Sequence, residues 1–339
     1  MEEIKKIVFF YFSGTGNSGR ISEWISEIAA KKGIDCKRYS IINLDIATIE
    51  EIDCRAVIFF ISPIHGFNYP KIMLDFIRRF PKGNNRVVLM NTRAGMRVGN
   101  ILVPGLTGIA FMISSLFLKF KGYKIVGQIP FDMPSNWISI HPALRSNSIK
   151  LLKNKSYERV KAHIEIVISG KSDFFSNRDI IQDLLISPIA LLYYFAGRFA
   201  LAKSYYASND CDNCGVCIKQ CPVGAIKYKN GRPYWTIKCE SCMKCMNNCP
   251  KRAIETAHGL FLLVSLISSA ATTHILNQLI AHHFDNYFLR QAISMAIFFI
   301  LLWVFYKLEH TLLRFNYFAK SVAATSLTHY KFWGRYKSS

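Results

Sequence analysis

A doubled cysteine pattern constrains this chain of 339 residues more than any other feature of its sequence. The same spacing of four cysteines and a proline occurs twice, as Cys211-x2-Cys214-x2-Cys217-x3-Cys221-Pro222 and as Cys239-x2-Cys242-x2-Cys245-x3-Cys249-Pro250. Each run is followed at the same offset by Ala-Ile. Three thiolates this close together can hold three corners of one iron–sulfur cubane, and the fourth cysteine of such a run binds the other cluster. The repeat therefore predicts two [4Fe–4S] clusters within residues 210–256.

Each cluster is expected to take three cysteines from one run and one from the other. The first set is then Cys211, Cys214, Cys217 and Cys249, and the second is Cys239, Cys242, Cys245 and Cys221. Zinc is the alternative, but zinc sites usually pair their ligands across longer spacers. The pattern resembles that of bacterial-type two-cluster ferredoxins, and all eight ligand positions are filled. The clusters are therefore expected to relay electrons and not to bind substrate.

The composition indicates a reducing compartment and an anionic partner. Only Cys36 and Cys54 lie outside the repeat, which is unlike the disulfide framework of a secreted protein. The first twelve residues lack the basic start and long apolar core of a signal peptide, so we expect the first domain to stay in the cytoplasm. Lys and Arg outnumber Asp and Glu by 43 to 22. No nucleic-acid motif accompanies this charge, so a membrane surface or an acidic protein partner is favoured over general solubility alone.

Short apolar runs alternate with helical patterns in the first half of the chain. Near-continuous apolar strands between helices indicate a parallel sheet that is covered on both faces. The expected fold is α/β, a doubly wound parallel sheet of five strands. Strands are predicted at residues 6–13, 35–40, 56–62, 86–92 and 123–131, and helices at residues 17–32, 72–80 and 147–169.

Residues 101–120 carry almost no charge and are long enough to cross a bilayer. They also fall where the fourth helix of the α/β domain belongs. We therefore predict a helix of that domain with an apolar outer face, which docks on the membrane or on the segment after residue 180. The connector at residues 173–207 is too apolar for a flexible linker, and we expect it to pack domains together or to lie in the membrane interface.

A turn rich in glycine and hydroxyl groups follows the first strand and opens the first helix. It comprises Ser13, Gly14, Thr15, Gly16, Asn17 and Ser18. Hydroxyls and free backbone N–H groups at a helix N-terminus make an anion site. The turn lacks the lysine of a P-loop and the GxGxxG of a dinucleotide fold. It resembles the phosphate loop of flavodoxins, which wraps the phosphate of FMN; a plain strand-to-helix turn is the alternative.

Two further loops lie at the predicted carboxyl ends of central strands, where open α/β sheets bind ligands. The first contains Pro63, His65, Gly66, Phe67 and Tyr69, and the second contains Thr92, Arg93, Ala94 and Gly95. The resemblance to flavodoxins implies that these loops flank the flavin ring. Phe67 or Tyr69 would stack on the ring, backbone groups near Gly66 and residues 93–95 would bond to its edge, and the charge of Arg93 would stabilise reduced flavin. His65 is expected to hydrogen-bond within its loop, and no catalytic residue is assigned.

Two apolar stretches after the cysteine repeat are each long enough to cross a bilayer. They cover residues 259–280 and 288–305 and are joined by the short loop 281–287. Lys and Arg flank their outer ends and are absent from the loop, so both ends are expected on the cytoplasmic side. A buried or interfacial helical hairpin is the alternative. The basic and aromatic tail suits a membrane interface.

The order of these parts resembles the flavodoxin–ferredoxin fusion proteins of anaerobic bacteria and archaea. The resemblance covers residues 4–256 and includes the segments Met133-Pro134-Ser135-Asn136-Trp137 and His141-Pro142-Ala143. The segment around Trp137 would cover the flavin or face the ferredoxin. The expected domains are a flavodoxin-like FMN domain (1–172), the connector (173–207), a small α+β two-cluster ferredoxin domain (208–257), two transmembrane helices (258–308) and a cytoplasmic tail (309–339).

This organisation predicts a membrane-anchored electron-transfer protein whose redox domains face the cytoplasm. Electrons would pass between the two clusters, FMN and a redox partner. That partner would be a ferredoxin, a membrane complex or a quinone, with membrane lipid as a further partner and no nucleic acid. One alternative is an FMN-dependent reductase of a small substrate, which requires an open pocket beside the flavin. The other is a redox subunit of a larger membrane complex.

Overall fold

The computed structural model describes residues 4–275, 278 and 286–336. It contains two compact units, each formed by more than one segment of the chain. The first unit comprises Met1–Trp137, Ala143–Phe195 and Tyr336–Ser339, and the second comprises Ile138–Pro142 and Ala196–Arg335.

The first unit is built on one sheet, in which five strands pair in parallel. These strands are β1 (Lys6–Tyr11), β2 (Asp35–Ser40), β3 (Val57–Pro63), β4 (Arg86–Val98) and β6 (Lys124–Pro134), and β5 (Ile101–Val103) is a short antiparallel addition to β4. The parallel strands lie in the order β2-β1-β3-β4-β6. This is the order of flavodoxin-like folds, in which ligands bind where the order reverses, between β1 and β3. The predicted parallel α/β sheet is therefore confirmed.

Four helices cover the sheet, namely α1 (Asn17–Ala30), α2 (Lys71–Arg79), α3 (Ala110–Phe120) and α4 (Ser146–Ile168). Successive side chains on a strand point to opposite faces, and here both faces are buried, which is why the strands are almost continuously apolar. On one face Phe9 and Phe59 belong to a core that α1 and α4 complete. On the other face Phe10 and Phe60 pack with Phe76 of α2. Truncation of one such ring to alanine would cost about 3–5 kcal/mol.

Two predictions for this unit are wrong. The strand expected to end at residue 92 continues to Val98, because β6 pairs with it as far as Gly95. Residues 101–120 are not one helix, because Gly99 (φ 59°) and Asn100 form a two-residue turn that folds β5 back onto the end of β4. The sheet thus has six strands and not five. The helix α3 that follows has 11 residues, which is too short to cross a bilayer.

The predicted connector is helical over most of its length. A 3-10 turn at Phe175–Asp179 leads into α5 (Ile180–Leu192), and one wider turn of π-helix follows at Tyr193–Gly197. Asp183 of α5 accepts a hydrogen bond of 2.7 Å from the backbone N–H of Gly108. This bond fixes α5 to the first unit.

The second unit joins small strands and short helices to three longer helices. Its elements are α6 (Arg198–Ala202), β7 (Tyr205–Ala207), α7 (Val216–Lys219), β8 (Ile226–Lys229), β9 (Arg232–Trp235), α8 (Lys244–Asn247), β10 (Ile254–Thr256), α9 (His258–Ile275), α10 (Tyr287–Leu312) and α11 (Asn316–Ala324). Two antiparallel pairs, β7 with β10 and β8 with β9, frame the cysteine repeat. The residues after α10 pack on this unit, since Leu313 and Val322 share a buried cluster with Tyr206.

Among the described residues, three helical segments are long and apolar enough to cross a membrane, judged by length and composition. They are Phe175–Ala202, His258–Ile275 and Tyr287–Leu312. In the most apolar 18 residues of each segment, only 11%, 11% and 6% are buried, respectively. The last two correspond to the predicted stretches, whereas most of the loop predicted at residues 281–287 lies outside the described residues. So much exposed apolar surface indicates association with a membrane.

Candidate functional site

The turn after β1 is bonded to residues at the carboxyl ends of two other strands. Three contacts join it to them: Ser18 Oγ lies 2.9 Å from Thr92 Oγ1, Asn17 Nδ2 donates to Pro134 O at 2.9 Å, and Asn136 Nδ2 donates to Thr15 Oγ1. Parallel strands bring their carboxyl ends to one edge of a sheet. The structure thus brings the predicted phosphate loop together with β4 and the segment after β6.

The backbone of this turn fits an anion. Gly16 is the residue that precedes α1, and its φ of 101° lies in the left-handed region, where a side chain costs about 1–2 kcal/mol. Its N–H donates to Ser13 Oγ at 3.0 Å. Gly16 has no side chain with which to cap α1, and in the described part of the chain no side-chain cap is present at this N-terminus. The N–H groups of the first turn of α1, at the positive end of the helix dipole, are therefore open to a phosphate.

The loop after β3 is a tight two-residue turn. His65 and Asn68 exchange backbone hydrogen bonds of 2.9 and 3.3 Å, and Gly66 and Phe67 between them have φ of 53° and 65°. An aromatic residue with positive φ is uncommon. Phe67 is held there by its carbonyl oxygen, which accepts the N–H of Ile109 at 3.0 Å. Its side chain is only half-buried, so Phe67 can offer a face to a planar ligand.

Tyr69, the other aromatic candidate of this loop, lies in the core. It is 1% exposed, its hydroxyl donates to Met90 O at 2.8 Å, and the edge of its ring meets Phe111. These contacts are those of a structural residue. Of the two rings, Phe67 is therefore the candidate for stacking.

Residues 92–95 lie in strand β4 and not in a loop. Arg93 is 3% exposed, and its guanidinium bonds Asp132 at 2.6 Å and Asp179 at 2.7 Å. Burial acts to lower the pKa of Arg93, but the two carboxylates outweigh it and leave that pKa raised. The positive charge of Arg93, which we expected to stabilise reduced flavin, is thus balanced by two carboxylates of the first unit. Thr92 and exposed Ala94 share the opposite face of β4, because alternate residues of a strand point the same way.

Aromatic rings cover the loop after β3. The ring of Tyr193 lies directly on Gly66, where an added Cβ would come within 2.0 Å of it. The ring centre of Trp137 lies 5.7 Å from that of Tyr193 and 6.0 Å from that of His65. Trp137 therefore lies over this loop. Nothing in the sequence singled out Tyr193, since it belongs to the connector and its contact depends on the path of the chain.

The first predicted set of cysteines lines a single cavity in the second unit. Cys211, Cys214, Cys217 and Cys249 form its wall together with Tyr228. Burial raises the pKa of Cys217 to about 11, and the charges of Cys211 and Cys249 act in the same direction. Cys249 of the second run therefore lies with three cysteines of the first run, and their joint binding of one cluster stays a prediction.

The thiols of the second set interact electrostatically with one another. Burial raises the pKa of Cys239 to about 12 and that of Cys242 to about 11, and the charge of Cys221 adds to both shifts. Cys245 also has a raised pKa through burial and through the charges of Cys239, Cys242 and Cys221. Four converging thiols are a donor set that fits an iron–sulfur cluster, whose iron ions draw off the thiol protons on binding.

Lys203 is a buried cation beside this second set. Its Nζ donates to Trp235 O at 2.8 Å and lies 4.4 Å from the ring centre of Tyr306. In the described part of the chain it makes no ion pair with a carboxylate. Burial lowers the pKa of Lys203 to about 8, and the charge of Cys239 acts in the opposite direction. No sequence pattern singles out Lys203, because it is one lysine at the end of an apolar segment.

Comparisons with known proteins support the iron–sulfur assignment. A family model described as "4Fe-4S dicluster domain" matches residues 210–254. No curated protein matches the chain. The chain thus contains a 4Fe–4S domain, as the cysteine repeat predicted.

Several solved structures resemble the first unit. Flavodoxin 1 from Bacillus cereus is 15% identical and aligns over 46% of this chain and 97% of its own, with a TM-score of 0.30. A Fusobacterium nucleatum flavodoxin bound to flavin mononucleotide is 18% identical over 48% and 96%, with a TM-score of 0.31. Rubredoxin oxygen:oxidoreductase from Desulfovibrio gigas is 14% identical over 48% and 37%, with a TM-score of 0.30. The flavodoxin-like fold is assigned from the strand order and not from these likenesses. A flavodoxin-like unit and a 4Fe–4S domain in one chain point to electron transfer.

Proposed function

We propose that this protein is a membrane-anchored electron carrier that passes electrons between two [4Fe–4S] clusters, FMN and a redox partner. What supports the proposal is the doubled cysteine pattern, together with one cavity that Cys249 of the second run lines with Cys211, Cys214 and Cys217 of the first. Four thiols would coordinate all four irons of each cluster, so no iron would be left to bind a substrate. Such sets therefore suit relay and not catalysis at the clusters.

The two cysteine sets sit in different surroundings. Cys214 of the first set is exposed, whereas Cys239 and Cys242 of the second are buried. A [4Fe–4S] cluster supplies one-electron transfer at a potential that burial, charge and hydrogen bonds determine. Around the exposed set, water can stabilise the negative charge that reduction adds. Around the buried set, the charge of Lys203 would do so. We infer that the two sites have different potentials.

The first unit would hold FMN at its switch point. Ser13, Thr15 and the N-terminus of α1 would bind the phosphate, and Phe67, Thr92 and Ala94 would face the ring. FMN supplies exchange of one or two electrons. The rings of Tyr193 and Trp137 lie over the loop around Gly66. A covered loop supports an electron carrier over a reductase, because a reductase needs access for its substrate.

The second and third apolar helices, α9 and α10, would form the membrane anchor. Lys251 and Arg252 precede α9, Lys307 lies near the end of α10, and Arg314 and Lys320 follow α10, which supports cytoplasmic ends by the positive-inside rule. We assign α5 to the membrane surface and not to a span, because Asp179 and Asp183 bond it to the first unit. The net charge of +21 would attract an acidic carrier such as a ferredoxin, and the anchor would also give access to a quinone.

The test is anaerobic purification in detergent, with iron, acid-labile sulfide and extracted flavin counted per chain. About eight irons, about eight sulfides and about one FMN are expected. A content of about four irons would contradict two clusters. Full iron without flavin would remove FMN from the proposal and leave the first unit as a docking platform for a partner.

A further inference from the structure

The first unit contains a cavity of about 420 Å³ that the redox function does not use. It lies between the β4–β5 hairpin, α4 and the 3-10 turn before α5. Its volume falls within the range of small-molecule sites. One wall is apolar and includes Leu102, Val103 and Leu152, and the other carries cations.

The cationic wall holds more positive charge than its carboxylates balance. Arg93 and Arg159 share Asp132, at 2.6 and 2.7 Å, and Arg93 also bonds Asp179, which lies just outside the lining. Lys155 and Arg178 add two cations near the solvent, where both are exposed. The cavity therefore brings four cations together against two carboxylates. Such an excess favours an anionic ligand with carboxylate or phosphate oxygens.

The ring of Phe175 packs against the guanidinium groups of Arg159 and Arg178. The Cζ atoms of Arg159 and Arg178 lie 5.0 and 4.3 Å from the ring centre of Phe175. Burial lowers the pKa of Arg159, Asp132 opposes that effect, and the charges of Arg93 and Arg178 lower it further. The arginines therefore repel one another. A bound anion would relieve this repulsion.

Exposed apolar surface adjoins this cavity on two elements. The hairpin turn beside it presents Val98 and Ile101, and Ile101 is 70% exposed. The helix α5 starts two residues after Arg178, and Ile181 and Leu185 on it are 74% and 77% exposed. Water-facing surfaces of soluble domains rarely gather so many apolar side chains.

On the helix α5, a polar stripe is buried and the apolar side chains are exposed, which is the reverse of a helix on a water-facing surface. Asp183 and Ala190 are buried, with half-buried Ser187 on the same stripe, whereas the opposite face consists of exposed apolar side chains. A helix that faced water would turn its polar stripe outward. The exposed face includes Ile181, Leu184, Leu185, Ile189 and Leu192.

We propose that this cavity binds the anionic headgroup of a membrane phospholipid, while the outer face of α5 and the hairpin turn enter the lipid interface. The proposal rests on the membrane association proposed above and names the lipid class. A phosphate joined to acyl chains would use both the cations and the apolar surfaces beside them. A small hydrophilic anion would use the cations alone.

The test counts lipids bound to the purified full chain by native mass spectrometry, with phosphatidylglycerol and phosphatidylcholine added separately in detergent. We expect one phosphatidylglycerol to bind at least about tenfold more tightly than phosphatidylcholine. The variant Lys155→Gln/Arg178→Gln should lose that preference. The matched control Lys31→Gln/Lys82→Gln removes the same charge from exposed positions of the same unit that do not line the cavity and should keep it. Unchanged far-ultraviolet circular dichroism would show that both variants are folded.

An equal preference in wild type and in Lys155→Gln/Arg178→Gln would overturn the proposal. So would displacement of phosphatidylglycerol by inorganic phosphate at matched concentration, because the cavity would then take free anions. Failure of the membrane anchor has a separate signature, since the chain would leave the membrane fraction of cells while headgroup binding in detergent stayed measurable.

Discussion

The hydroxyl oxygens of Ser18 and Thr92 lie 2.9 Å apart and join the turn after β1 to strand β4. Both side chains are buried, and each belongs to a different one of the three segments expected to hold a flavin. The contact brings the predicted phosphate loop next to the strand that we propose to face the flavin ring.

We expect Gly16→Ala to reduce bound FMN at least about tenfold while the sheet stays folded. A Cβ at φ of 101° would strain the turn by about 1–2 kcal/mol and shift the N–H groups meant for the phosphate. Flavin content and far-ultraviolet circular dichroism measure the two effects. Gly33→Ala is the control, because Gly33 also has positive φ but lies in open space outside the turn. Equal flavin loss in both variants would argue against a phosphate loop.

Cysteine substitutions should affect a cluster according to the proposed ligand set of the cysteine, and not according to the run in which it lies. Cys221→Ala should leave the same residual cluster spectrum as Cys242→Ala, although Cys221 belongs to the first run, because its neighbours are Cys239, Cys242 and Cys245. Iron content should fall from about eight to about four per chain in both.

The complementary variants test the first set. Cys249→Ala should match Cys214→Ala, since both cysteines line one cavity. Cys54→Ala, at an exposed cysteine of the first unit, should keep all the iron. Electron paramagnetic resonance of the reduced protein distinguishes the two residual clusters, and pairing of Cys221→Ala with Cys214→Ala would refute the ligand sets.

Replacement of Lys203 by Met should lower the potential of one cluster only. The buried ammonium favours additional negative charge on the thiol set around Cys239, so its loss disfavours reduction. We expect a change of about tenfold in the redox equilibrium, which is about 60 mV for one electron. Lys238→Met removes an exposed charge next to Cys239 in sequence and should shift the potential less, because water screens it. A redox titration that shows equal shifts would contradict this role.

Substitutions of the two aromatic residues of the loop after β3 should have different effects, one on stability and the other on flavin binding. Tyr69→Phe removes the hydrogen bond to Met90 O and should lower the free energy of unfolding by about 1 kcal/mol, with flavin content unchanged. Phe67→Ala should weaken flavin binding with a smaller effect on stability, because the ring is only half-buried. Denaturant unfolding and flavin titration provide the two measurements. Loss of flavin in Tyr69→Phe would show that the Tyr69 hydroxyl contributes to flavin binding.

Thiol labelling should locate the ends of the membrane anchor. A membrane-impermeant maleimide should modify Tyr287→Cys in right-side-out vesicles and exposed Cys54 in inside-out vesicles. Tyr287 is chosen because the side chain of Asn286, which caps α10, is then kept. Labelling of both positions from the same side would exclude a spanning hairpin with cytoplasmic ends.

Local patterns predicted the parts of this protein that depend on neighbouring residues. The spacing of Cys211, Cys214 and Cys217 places three thiols in one loop whatever surrounds it, and that loop lines one cavity. The helices α1, α2 and α4 follow their apolar periodicity to within a few residues. The turn Gly99–Asn100 was also legible as a hairpin signal, but the apolar composition of residues 101–120 favoured one long helix instead.

What the sequence by itself determined is the identity of the parts: a thiol repeat for iron–sulfur chemistry, a parallel α/β sheet and apolar helices. Only the tertiary structure decided which groups meet across long stretches of chain. It pairs Arg93 with Asp132 and Asp179, lays Tyr193 on Gly66, and buries Lys203 beside Cys239. It also turns the apolar face of α5 outward. Periodicity shows that a helix has two faces, but which face is buried depends on the surface that the helix packs against.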